Sequence, residues 1–142
     1  MVCNMEEFET KLQKQFPLMY KDNVSVWVDE GWHKIVFELS NEIQKYIIAT
    51  NSRRQWLIDN DKPFGELIEQ VVVEQVKEKF GGLRFYYNGG DDYIAGMVSI
   101  AETWAENTCE VCGNRGVGRN LPWIKTLCDE HFVERKKRYE NA

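Results

Sequence analysis

Four residues near the C-terminus limit this chain more than any others. Cys109-Glu-Val-Cys112 is followed by Gly113, and after a loop comes Cys128-Asp-Glu-His131. Two residues lie inside each pair and fifteen lie between the pairs. Three thiolates and one imidazole at that spacing suit a closed tetrahedral zinc site. Gly113 can take the positive φ that such a knuckle needs. The run from Cys128 to Tyr139 reads as a helix starting near Asp129, which puts His131 in its first turn. A knuckle followed by a helix start is the treble-clef way of holding zinc. With four protein ligands no corner is left for a water, so the expected Zn2+ is structural and the chain is read as non-catalytic. Free thiols are the plainer alternative, and the paired spacing argues against them. Disulfides would leave His131 and the short pairs without a reason.

A chain of 142 residues suits one compact unit. Residues 1–108 are expected to form an α+β body, with the zinc knuckle and C-terminal helix of 109–142 packed against it. Five Trp, six Tyr and seven Phe supply a core. No apolar run approaches the ~20 residues of a membrane span, and Met1-Val-Cys3-Asn4 does not open a signal peptide. The expectation is a cytoplasmic protein with reduced thiols, without membrane contact. Cys3, outside the zinc set, is read as a free terminal thiol.

The net charge is −5, unevenly spread. Residues 109–142 are net positive, with Arg115, Arg119, Lys125 and the run Arg135-Lys136-Lys137-Arg138; the rest is strongly acidic. A general duplex-DNA binder should carry a broad basic face, and most of this chain repels phosphate. The basic run also has a simple role as cations complementing a helix C-terminus.

Phe8, Leu12 and Phe16 form the stripe of a first helix, ended by Pro17. Val24 to Val28 alternates as a short strand. Trp32, Ile35, Val36, Leu39, Ile43, Tyr46 and Ile47 recur at helical spacing, predicting a second helix from about Trp32 to Ala49. His33 lies off that stripe, as a surface or capping residue. The stretch 51–66 has no clear period: Arg53 to Ile58 can prolong the helix or form a turn of its own, and Asn60 to Gly65 reads as a loop. Val71-Val-Val73 and Leu83-Arg-Phe85-Tyr-Tyr87, joined through Phe80-Gly81-Gly82, predict an antiparallel hairpin. Asp91 or Asp92 caps a third helix that runs directly into Cys109. The expected fold is α+β, with helices packed on a small antiparallel sheet.

One further stretch carries possible chemistry. Around Gly81-Gly82, Lys79, Arg84 and Tyr86 offer two cations and an aromatic ring, which can hold a phosphate or stack on a base. Trp32 reads as core or as a pocket wall, and for a nucleotide ligand it is added to the pocket candidates. A hairpin turn explains the glycines equally well, and Arg84 can pair with Glu74 or Asp92. Asp91-Asp92 reads as a cap before it reads as an acid–base pair. Trp123 is expected to pack the small zinc core with Leu121, Ile124 and Leu127.

Phe16-Pro17, Gly31-Trp32, Val76-Lys-Glu-Lys-Phe80-Gly-Gly-Leu-Arg84-Phe85-Tyr86, Cys109-Glu-Val-Cys112-Gly113 and Trp123-Ile-Lys-Thr126-Leu127-Cys128-Asp-Glu-His131 together resemble a family of small phage and prophage zinc-binding accessory proteins. The segment Asn51–Asp61 is longer and more charged than in that family. The resemblance implies a genetic setting: accessory proteins of host takeover or counter-defence, acting in the host cytoplasm. The expected function is capture of a host component, either a defence protein or a nucleotide signal. The alternative is a nucleic-acid-binding zinc module in transcription or replication. An enzyme ranks last, because the sequence places no nucleophile beside a base.

Overall fold

The computed structural model describes residues 4–21 and 24–141. The expectation for Cys3 lies outside the described residues. Helix α1 (Asn4–Gln15) leads to strand β1 (Ser25–Trp27), a short 3-10 turn (Glu30–Trp32) and the long helix α2 (His33–Asp59). Strands β2 (Val72–Lys79) and β3 (Gly82–Asn88) follow, then α3 (Asp92–Ala105). The chain ends in a two-stranded hairpin, β4 (Val117–Arg119) and β5 (Lys125–Leu127), and helix α4 (Asp129–Glu140).

The main sheet has the order β1-β2-β3. β2 and β3 are antiparallel, as the Gly-Gly turn predicts, but β1 lies parallel to β2. The sheet is therefore mixed rather than purely antiparallel. The reason is the crossover: parallel neighbours need a long connection, and α2 supplies it. That helix runs for 27 residues, well past Ala49. The stretch without a clear period is its last three turns plus a return loop. No Gly or Pro interrupts residues 33–59, so nothing stops the helix once packing has started it. Asn51 then pins the return loop, its amide pairing with both the N–H and the C=O of Ile68 at 2.7 and 2.9 Å.

The core forms where the stripes of α1, α2 and α3 meet one face of the sheet. Phe8, Leu12 and Phe16 of the first stripe are buried with Ile35, Val36, Ile43 and Ile47 of the second and Ile94 and Val98 of the third. Val26, Val76 and Phe85 form one cross-strand row beneath them. Burying each such side chain contributes roughly 1.5–3 kcal/mol, against a chain entropy of similar total size. Asp91 caps α3 as expected, accepting from the Ile94 N–H at 3.1 Å and from the Tyr46 hydroxyl at 2.6 Å. Those donors hold its carboxyl below the usual range, although partial burial pushes the other way.

Both free edges of the sheet are blunted by carboxylates. Glu9 accepts the Val26 N–H and Glu102 accepts the Phe85 N–H, each at 3.1 Å. Occupied edge donors are poor templates for an added strand. No described helix is long and apolar enough to cross a membrane.

Candidate metal centre and exposed sheet face

The chain turns sharply after α3. Cys109 donates its N–H to the Asn114 carbonyl, and Gly113 returns a bond to the Cys109 carbonyl at 3.0 Å. Gly113 sits at φ +82°, the left-handed conformation that closes the knuckle. The β4–β5 hairpin then brings Cys128 back, at the N-cap of α4, with His131 in the first turn.

The four side chains meet. The three Sγ atoms and a ring nitrogen of His131 all lie within 4.8 Å of one another. Cys112 and Cys128 Sγ are 3.8 Å apart, and His131 Nδ1 is 3.6 Å from Cys109 Sγ and 3.2 Å from Cys128 Sγ. A tetrahedral ion with metal–S near 2.3 Å and metal–N near 2.0–2.1 Å separates its ligands by about 3.5–3.8 Å. The donor set and its spacing fit a metal ion. Burial raises the Cys109 thiol, but the N–H groups of Cys128, Cys112 and Val111 outweigh it and bring it down to about 7. A thiolate so stabilised is ready to ligate. Burial and the neighbouring sulfurs push Cys112 up instead, a repulsion that a cation would relieve.

The knuckle is seated on the body by close contacts. Gly31 donates its N–H to the Glu110 carbonyl at 2.8 Å. A Cβ on Gly31 would lie 2.1 Å from the Cys109 carbonyl oxygen, so no other residue fits. Trp32 is fully buried, and its indole N–H donates to the Thr108 carbonyl at 2.8 Å. Trp32 is thus the floor under the knuckle and not a wall of a ligand pocket, which corrects the sequence expectation. Glu110, only 2 % exposed, accepts the Thr126 N–H at 2.7 Å and the Lys125 ammonium at 3.3 Å. Lys125 also reaches Glu78 at 3.0 Å, on the β2–β3 hairpin. Burial raises the Glu110 carboxyl despite these donors. The two carboxylates raise Lys125 against its own burial. Thr126 completes the seam by donating to the Gly81 carbonyl.

Trp123 is 73 % exposed at the hairpin loop, so it does not pack the small metal core as expected. That core centres on Leu127 and Cys109, both fully buried. Arg119 is committed to holding α4: it bonds the Leu127 carbonyl at 3.1 Å and Asp129 at 2.7 Å, and lies over the Phe132 ring. With Lys125 engaged as well, two of the cations counted toward a phosphate-binding surface are used internally. His33 stacks on Phe8 with centroids 3.9 Å apart and sits 3.1 Å from the Val28 carbonyl through Nε2, a structural role.

The other candidate residues lie on the sheet face opposite the core. The cross-strand row Trp27–Lys77–Arg84 alternates with the buried row Val26–Val76–Phe85, and the row Ser25–Gln75–Tyr86 lies two residues along. Lys79 pairs with Gly82 on the same face. A Cβ at Gly82 would lie 3.0 Å from Arg84 Nη1, so this glycine makes room for the guanidinium. Trp27 is 63 % and Tyr86 42 % exposed. The structure brings Lys79, Arg84 and Tyr86 onto one surface and replaces Trp32 by Trp27. It adds Lys77, whose ammonium lies 5.7 Å from the Tyr86 ring centroid. The sequence held the signal for Trp27: with Val26 and Val28 turned inward, the residue between them points outward.

Among the described residues no carboxylate pairs with Lys77, Lys79 or Arg84. Glu74 bonds Asn88 instead, and neither Glu74 nor Asp92, the two expected partners, forms an ion pair with Arg84 among the described residues. A recess of about 160 Å³ between α2 and α3 is apolar, but Glu38 and Glu42 line it and would repel an anion.

Comparison of the chain with family models, with curated proteins and with solved structures gives no match.

Proposed function

We propose that the chain is a non-catalytic binding protein, stabilised by a structural Zn2+ in a treble-clef-like knuckle, that captures a host component. The genetic setting proposed with it is a phage accessory protein of counter-defence or host takeover, resting on the motif resemblance. The metal assignment rests on the donor set: three thiolates and an imidazole favour zinc, and four protein ligands complete its sphere. The observation that carries the binding role is the outer sheet face, where exposed aromatic rings stand beside three cations with no carboxylate partner among the described residues. Unneutralised cations beside exposed aromatic rings on a rigid sheet are the composition of a recognition surface.

The test is retention by tagged, zinc-loaded full-length protein in host extract, with mass spectrometry of the proteins and small molecules held. The expected result is a component held by the natural chain and lost from a Trp27→Ala, Arg84→Ala double variant. Equal retention by both, or nothing retained, ends this reading.

A second reading, a zinc module that binds nucleic acid through α4, is favoured by one observation. Lys136, Lys137 and Arg138 are exposed and Arg135 partly so, and of these four only Arg138 has an ion-pair partner among the described residues, Glu134 at 3.5 Å. It predicts salt-sensitive duplex binding that disappears when Arg135 to Arg138 become Ala.

A further inference from the structure

From the placement of the rings and cations on the outer sheet face, we infer that its ligand carries two unpaired nucleobases joined through phosphate. The inference rests on the binding role proposed above and names the chemistry of what is bound.

Trp27 and Tyr86 are not a slot for one ring. They stand on β1 and β3 with β2 between them, opposite Lys77 and Gln75 respectively. Two strand spacings across and one two-residue step along put their Cα atoms roughly 12 Å apart. Rings rooted that far apart on one sheet face serve as separate stacking platforms, each suited to the face of one base. Lys77 lies between them: it is the register partner of Trp27, and its ammonium reaches within 5.7 Å of the Tyr86 ring. Arg84 is its neighbour across β3, and Lys79 is one step nearer the turn. A phosphate linking two stacked bases would therefore cross a line of cations. Arg84 supplies the planar fork that grips phosphate oxygens in pairs.

Charge complementarity decides against other occupants. The chain as a whole carries −5, yet this face concentrates three cations. The acids on β2 are drawn elsewhere, Glu78 toward Lys125 and Glu74 to Asn88 at the far end of the strand. A duplex would hide its base faces from both rings, so the surface selects unstacked bases. Glu9 and Glu102 each occupy a central edge N–H group, those of Val26 and Phe85, which disfavours an added peptide strand.

On a face this open, with Trp27 63 % and Tyr86 42 % exposed, the occupant is a segment of single-stranded nucleic acid, and a free dinucleotide is the competing outcome. Zinc-loaded full-length protein is titrated with a linear dinucleotide, a fluorescent single-stranded octanucleotide of DNA and of RNA, the matching duplex, and a mononucleotide. Binding of a single strand, at least about tenfold tighter than dinucleotide, duplex and mononucleotide, is expected. A dinucleotide that binds as tightly as the single strand overturns this choice of occupant. Trp27→Ala and Tyr86→Ala should each weaken binding about five- to a hundredfold, while Trp27→Phe keeps most of it. For a single strand, log K should fall with log salt at a slope no steeper than about −2, from three cations at most.

The inference is overturned if none of these probes binds, if duplex or mononucleotide matches the best of them, or if Trp27→Ala binds like the natural chain. It is also overturned if affinity follows Arg135 to Arg138 and not Trp27. If no probe binds while host extract still yields a component lost from the Trp27→Ala, Arg84→Ala variant, the ligand class is wrong and the binding role stands.

Discussion

Two surfaces of the β2–β3 hairpin have opposite character. At the turn, where the Cys109–His131 knuckle docks, polar groups are matched. Glu110, Lys125, Glu78, Thr126 and the Gly81 backbone form one continuous seam. On the outer face of the same strands, Lys77, Lys79 and Arg84 have no carboxylate partner among the described residues and Trp27 is open to solvent. Burial explains the difference. A buried carboxylate without donors costs several kcal/mol, so the seam must be satisfied within the chain. An exposed cation is solvated at little cost, so the outer face can keep its groups for a ligand. Matched groups hold the structure, and unmatched ones are where function is sought.

The largest expected effect breaks the matched side. Removing the metal with a chelator, or Cys112→Ser, should unfold at least residues 109–142, because metal binding of this kind is folding free energy. Circular dichroism and thermal melting read it, and an unchanged melt after verified metal loss would refute the structural role. Next is Gly31→Ala. Its Cβ would meet backbone atoms of Cys109 and Glu110 within 2.5 Å, which cannot rotate away. A loss of about 4 kcal/mol or more is expected in chemical denaturation, together with weaker metal retention.

Lys125→Met should cost about 3 kcal/mol, since it strands Glu110 in a buried site. A double-mutant cycle with Glu110→Gln isolates the pair: the double variant should recover part of the loss. On the unmatched side the expectation reverses. Trp27→Ala with Arg84→Ala should change stability by only about 1 kcal/mol while abolishing ligand retention, measured by the same denaturation and by binding. A large stability loss there would mean that the outer face is structural after all.

The smallest effect concerns His33. Burial lowers its pKa, against bonding to Val28 and the nearby Glu30 and Asp29, with Lys11 adding to the lowering. Between the lowered folded value and the ordinary ~6.5 the unfolded chain holds more protons. Stability from this group is therefore complete above about pH 6.5 and is lost as pH falls through the folded pKa. His33→Gln should flatten that part of the stability–pH curve relative to the natural chain at equal metal loading.

The convergence of Cys109, Cys112, Cys128 and His131 was legible because ligand spacing is a local property of the chain. So were the hairpin at Gly81-Gly82, the cap at Asp91 and the helical stripes, each of which repeats within a few residues. Sequence leaves the reach of α2 open between a longer helix and a separate turn: the apolar residues of 51–59 fall in one run, Trp56 to Ile58, which shows no period, and the helix persists there on propensity and the Asn51 clamp. The basic tail drew attention by composition, although Arg119 and Lys125 were already engaged within the fold.

Chain composition and spacing alone determined the set of three cysteines and one histidine, the helical stripes and the turn glycines, since those depend on neighbours in sequence. Only tertiary packing decided that β1 runs parallel to β2, that Trp32 lies beneath the knuckle, and that Trp27 comes to stand in one row with Lys77 and Arg84. Trp32 and Thr108 are 76 residues apart in the chain. No local pattern encodes which distant segment will cover a strand or turn, and that coverage separates a core tryptophan from an exposed one.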